Sequence, residues 1–236
     1  MRILVYPCYD AVSKSVCTDI GTLDLIRSDF PEKKIDCVFD WGPIYGTYPF
    51  NEHHYVVGWQ QTVIAKTVLE MFGIRFCLSD FEFKPYYVRD RNYIYDLSYY
   101  MFRGEQSYTI VDAETGSVVR KPDLYRDMHD NFLIQDRSVT EYHRLLWCTH
   151  KCALIINNNL PEGKTVLISC DSQMVPVISV IAPYFREILY LDRRGGYDVS
   201  GLTGRDYDHV LFAHWCKTDS IKDMYDRKMK INFGIV

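Results

Sequence analysis

No apolar run in this chain is long enough to cross a bilayer, and the opening residues MRILVYP carry too short an apolar stretch for a secretory leader. A soluble, cytoplasmic protein without a transmembrane segment is therefore expected. The chain also lacks an excess of basic charge: 27 lysines and arginines stand against 31 acidic residues, a formal net charge of −4. Non-specific nucleic-acid binding, which needs a basic face, is not indicated. There is no long run of like charge, no internal repeat and no low-complexity segment, so tails and repeat arrays are set aside. Glycines 195, 196, 201 and 204 are not followed by a helix start of the phosphate-binding kind. Metal-ligand clusters are thin as well. Cys148-Thr149-His150-Lys151-Cys152 has no second cluster to complete a tetrahedral set, and His53-His54 is too small a set, so no metal site is expected.

What is present suits one substantial core. The 236 residues are 47% hydrophobic, enough for a single α/β domain over 1–236. The eight cysteines lie mostly within apolar runs, which suits reduced, packed thiols. Residues 2–6 and 34–41 read as strands, the second ended by Gly42-Pro43. From Val57 the apolar positions Val63/Ile64, Val68 and Met71/Phe72 recur at helical spacing, with Gly73 placed as a C-cap, and residues 74–78 resume a strand.

Residues 81–122 are aromatic-rich and irregular and read as an insertion or lid, with a hairpin formed by residues 108–111 and 117–119 around the turn 112–116. Tyrosines 86, 87, 93, 95, 99, 100 and 108 suit either a sugar-binding surface or ordinary amphipathic packing. Ser138-Val139-Thr140-Glu141 is a capping box, and the stripe Tyr142, Leu145/Leu146, Cys152/Ala153 and Ile156 predicts a long helix from Ser138. A strand over 165–169 follows, then a helix from Met174 that Pro183 ends, a strand over 187–192 and a strand over 209–215. A polar helix over 220–229 closes the chain.

The segment KTVLISCDSQM at 164–174 is where chemistry is expected. A β-branched run stops at Asp171-Ser172 and a helical pattern takes over. In an α/β sheet, the carboxyl end of such a strand faces the crevice that holds ligands. Ser172 there fits a helix N-cap or a nucleophile. A serine nucleophile needs a base and a group to orient it. Asp127-Met128-His129 supplies such a pair, with a solvated turn as its bland alternative. His209 begins a strand, at the opposite end of a parallel sheet from Ser172, and reads as structural. His214, near that strand's exit, fits either the oxyanion or substrate site or a satisfied structural histidine.

In chain order, Asp127-Met128-His129-Asp130-Asn131, the helix after it, GKTVLISCDS at 163–172, YFREILYLDR at 184–193 and YDHVLF at 207–212 resemble the SGNH-hydrolase-like domain of the alginate O-acetyltransferases. The resemblance spans about residues 120–216 and lies in the ordered set of motifs. It implies an SGNH-like three-layer sandwich: a mainly parallel central sheet flanked by helices, here with the aromatic-rich β insertion. It also implies a serine-dependent O-acetyltransferase or esterase acting on a polysaccharide or glycan precursor. Ser172 would be the nucleophile, His129 the base and Asp127 its orienting acid, with the Ser172 backbone N–H in the oxyanion hole and Asp171 supporting the turn. No tightly bound cofactor is implied beyond an acetyl donor such as acetyl-CoA. Cys170 stands where the family has glycine, and Asp130 where it usually has tryptophan. Those two positions keep open a second expectation, a catalytically inactive SGNH-like domain that binds carbohydrate or a protein partner. The αβ alternation alone would also suit a nucleotide-dependent glycan enzyme.

Overall fold

The chain from Thr165 to Cys170, TVLISC, is buried at every position, which a strand achieves only with neighbours on both edges and cover on both faces. The computed structural model that shows this describes residues 2–6, 8–10, 15–17, 24, 27–28, 34–37, 59–85, 87–90, 93–96, 99–105, 107–112, 115–120, 152–170, 175–192 and 207–213.

Its elements run β1 (Arg2–Tyr6), β2 (Cys8–Asp10), β3 (Ser15–Cys17), β4 (Lys34–Cys37) and helix α1 (Trp59–Met71). Next come β5 (Phe81–Lys84), β6 (Tyr87–Asp90), β7 (Tyr93–Asp96), β8 (Tyr99–Phe102), β9 (Tyr108–Asp112) and β10 (Val118–Arg120). They continue with β11 (Cys152–Asn157), β12 (Thr165–Cys170), helix α2 (Val175–Ile181), β13 (Glu187–Asp192) and β14 (His209–Ala213). Eight strands form one mixed sheet in the order β10-β9-β11-β13-β12-β14-β1-β4. The stretch from β13 to β4 is parallel, and β11, β9 and β10 extend it antiparallel. This is a mixed α/β fold, neither all-helical nor all-β.

Helices α1 and α2 cover one face. Along α1 the buried positions Gln61, Ile64, Ala65, Val68, Leu69 and Phe72 recur at helical spacing, as the sequence predicts, while Lys66 and Glu70 are exposed. The helix ends in a Schellman motif: Gly73 takes φ +75°, its N–H donates to the Glu70 carbonyl and the Ile74 N–H donates to the Leu69 carbonyl. Helix α2 is buried from Val177 through Ile181 and packs against α1. Pro183 falls in a 3-10 turn at Ala182–Tyr184 that closes it. Beneath them lie Val166, Ile168, Cys170, Ile188, Tyr190 and Leu211. Each fully buried aliphatic side chain contributes about 1.5–3 kcal/mol of transfer free energy. The opposite face, with Leu167, Leu189, Leu191, Val210 and Phe212, is fully buried as well.

Three expectations are corrected. The helical stripe predicted from Ser138 through Ile156 ends as strand β11: Cys152–Asn157 pairs antiparallel with both β9 and β13. A short continuous apolar run satisfies helical and strand spacing alike, and the two flanking ladders decide it. Residues 74–78 do not form a strand. The Ile74 N–H is spent on the helix cap and the Cys77 N–H donates to the Tyr184 hydroxyl, so neither can join a ladder. The hairpin read within residues 81–122 does form, but β9 and β10 belong to the main sheet. The predicted helix over 220–229 and the first part of that over 138–156 lie outside the described residues.

Candidate active site

The parallel strands define one edge of the sheet where the chain repeatedly leaves. Cys170 lies opposite Ala213 of β14 on one side and Asp192 of β13 on the other, so β12, β13 and β14 finish level. The strand order reverses direction here: the chain passes from β12 outward to β13, and from β1 outward to β4 on the opposite side, with β14 between. In open α/β sheets, ligands usually bind beyond the carboxyl ends of the strands at such a reversal. Ser172 follows the last residue of β12 by two positions, and His214 follows the last residue of β14 by one.

Asp127, His129, Asp171, Ser172 and His214 themselves lie outside the described residues, as does Asp130. The strands that lead to Ser172 and His214 are adjacent and in register; the approach of Asp127 and His129 is not described. Cys170 is fully buried and belongs to the core cluster under α1 and α2.

The level exits are held from the far end of the same strands. The backbone N–H of Thr165 donates to Asp208 Oδ2 at 2.8 Å, the Thr165 hydroxyl to the same oxygen at 3.1 Å, and the Asp208 N–H to Thr165 Oγ1 at 3.1 Å. This reciprocal clamp sets Val166 opposite His209, which carries the register through to Cys170 and Ala213. Desolvation alone would raise the Asp208 carboxyl; the Thr165 N–H and hydroxyl, with the charges of His209 and Lys164, outweigh it and hold the group below its ordinary value. The sequence reading passed over Asp208. Its signal was present in an acid directly before one strand and a threonine at the start of another, but nothing local pairs two residues 43 positions apart.

His209 takes the structural place expected of it. It is buried, stacked on Phe72 at 4.3 Å with Phe185 edge-on at 6.1 Å, at the start of β14. Four strand steps, about 13 Å, separate it from the carboxyl edge. Among the described residues no group of three or more His, Cys, Asp or Glu side chains is placed to hold a metal ion, and no helix is long and apolar enough to cross a membrane.

No protein-family model matches the chain, and no curated protein matches it. Solved structures do. A crystal structure of a DHHW family protein from Eubacterium siraeum DSM 15702 is similar at 16% identity with a TM-score of 0.63, covering 94% of this chain and 82% of that one. Bacillus cereus PatB1 is similar at 13% identity with a TM-score of 0.57, covering 91% of this chain and 82% of its own. PatB1 carrying a sulfonyl adduct gives 14% identity and a TM-score of 0.60 over 91% and 80%. At these identities the likeness is one of architecture: the chain shares the α/β fold of the DHHW family protein and of PatB1.

Proposed function

We propose that this protein is a serine-dependent O-acyltransferase or esterase acting on a polysaccharide or glycan precursor, with Ser172, His129 and Asp127 as its triad. The observation that carries the reading is the strand-order reversal beside β12, with Asp171-Ser172 following directly on that strand in the sequence. The fold likeness to PatB1, known with a sulfonyl adduct, supports an acyltransferase-like chemistry, as does the ordered resemblance to the alginate O-acetyltransferases. Burial of both faces of β12 and β14 supports the SGNH-like three-layer sandwich.

In this mechanism Ser172 Oγ attacks the acyl carbonyl while His129 takes its proton, and Asp127 fixes the imidazole tautomer. The Ser172 backbone N–H, with His214 as a second donor, stabilises the tetrahedral oxyanion, and Asp171 supports the turn. The leaving group departs with the proton from His129. The acyl-serine is then attacked by a carbohydrate hydroxyl, or by water in an esterase, which returns its proton through His129. An acetyl donor such as acetyl-CoA fits a cytoplasmic setting for this reaction.

A second reading, a catalytically inactive domain that binds carbohydrate or a protein partner, is favoured by one observation. Cys170 occupies a fully buried position where the family has glycine. Reaction with a sulfonyl fluoride, followed by peptide mapping, separates the two. Modification at Ser172, together with aryl-acetate turnover that Ser172→Ala and His129→Ala abolish, supports the enzyme. Turnover equal to wild type in both variants overturns the triad.

A further inference from the structure

Strands β2 and β3 pair antiparallel, with Cys8 opposite Cys17, Tyr9 opposite Val16 and Asp10 opposite Ser15. Two of the chain's eight cysteines therefore hold facing register positions, at the end of the ladder away from the connection over 11–14. The other described cysteines are placed differently. Cys37 lies opposite Val5, Cys152 opposite Leu191, and Cys170 between Asp192 and Ala213. Cys77 has Ser79 Oγ 3.0 Å from its sulfur. Among the described residues, no second pair of cysteines faces across a ladder.

Directly opposed positions of an antiparallel pair have Cα atoms about 4.5–5.5 Å apart, inside the roughly 4.4–6.8 Å that a disulfide spans. The backbone register alone permits the bond. The β-carbons of such positions are in general about 4.5–5.5 Å apart, against about 3.5–4.5 Å in a disulfide, so forming the bond draws the two strands together. A disulfide closed against such resistance is more readily reduced than a relaxed one, which suits a bond that forms and breaks rather than a permanent staple. The pair also lies close to the edge where β1 and β14 finish. Tyr6 of β1 is opposite Ala213, and Cys8 follows Tyr6 by two positions, a reach of at most about 7 Å.

We propose that Cys8 and Cys17 are a reversible dithiol–disulfide site, oxidised by exchange with a small-molecule disulfide such as glutathione disulfide. The site does not depend on the acyl-transfer reading. One cysteine, as thiolate, attacks a sulfur of glutathione disulfide, releasing one glutathione thiol and leaving a mixed disulfide. The opposed thiolate then attacks the protein sulfur of that bond, forming the Cys8–Cys17 disulfide and releasing the second glutathione. Two protein thiols are oxidised and one glutathione disulfide is reduced to two thiols. To test this, the full chain is equilibrated at neutral pH in a series of glutathione buffers, quenched in acid, denatured, alkylated and digested with trypsin. Cleavage after Arg2, Lys14 and Arg27 leaves Cys8 alone in residues 3–14 and Cys17 alone in residues 15–27, so the bond appears as these two peptides joined. The ratio of joined to alkylated peptides is expected to rise about tenfold for each tenfold rise in oxidised glutathione over the square of the reduced form, as a two-thiol exchange requires. Cys17→Ser is expected to stop at the mixed disulfide on Cys8. The pair is overturned if both cysteines stay alkylated across the series, if each carries glutathione without being joined, or if the joined peptides come only from chains linked as dimers on a non-reducing gel. Peptides joined even in the most reducing buffer overturn its reversibility.

Discussion

At the amino ends of the parallel strands, polar groups are knotted together in full view. Asp208 and Thr165 clamp β14 to β12, the Asn157 N–H donates to the Arg186 carbonyl, and the Arg186 N–H donates to the Lys164 carbonyl. Asn158 adds bonds to Ser107 and Thr109. At the carboxyl ends, the same strands finish on Cys170, Asp192 and Ala213 and hand the chain to Asp171-Ser172 and to His214. One end secures register and the other inherits it. The hydrogen bonds that clamp the amino ends lie about 13 Å from the carboxyl edge, so under the proposed function chemistry at that edge would not compete with them.

The comparison breaks most directly at Ser172. Ser172→Ala is expected to lower aryl-acetate turnover by about a thousandfold or more while leaving the urea midpoint where it was. Wild-type turnover in that variant would show that the carboxyl edge is not the reacting end. Ile168→Ala, in the fully buried middle of β12, should cost about 2–5 kcal/mol in urea unfolding by opening a cavity beneath α1 and α2.

Asp208→Asn should cost less, about 1 kcal/mol at pH 7, because the clamp is partly exposed to water. Because folding holds the Asp208 carboxyl below its ordinary 3.8, its contribution is present above that pH and disappears as pH falls through the lower folded value. Urea titrations of wild type and Asp208→Asn at pH 7 and below pH 3.8 should therefore converge on the acid side; a gap that widens there would contradict the clamp. Asn158→Ala, whose bonds are all exposed, should shift stability by about 0.5 kcal/mol, with turnover intact.

Of the candidate site, the sequence made the exit from β12 legible, because a β-branched run broken by Asp171-Ser172 is a local signal. The Asp208 clamp that levels that exit with its neighbour was not legible. The aromatic-rich stretch was half legible: its tyrosines stood out as a cluster, but the pairing of β5 with β8 and of β6 with β7 emerges only from cross-strand contacts.

Elements governed by their own residues were determined by the sequence alone. Helix α1 stops at Gly73 because only a residue tolerant of positive φ closes a Schellman motif there, α2 gives way at Pro183, and β13 spans Glu187–Asp192 as its apolar run implies. Tertiary structure decided what depends on partners far along the chain. The run CALIIN became β11 because strands β9 and β13 lie on either side of it, and Ile74 left the strand pool because its N–H was already committed to the helix cap. Backbone dihedral preference is a property of a few adjacent residues, whereas a ladder hydrogen bond requires a second segment whose position only the whole fold supplies.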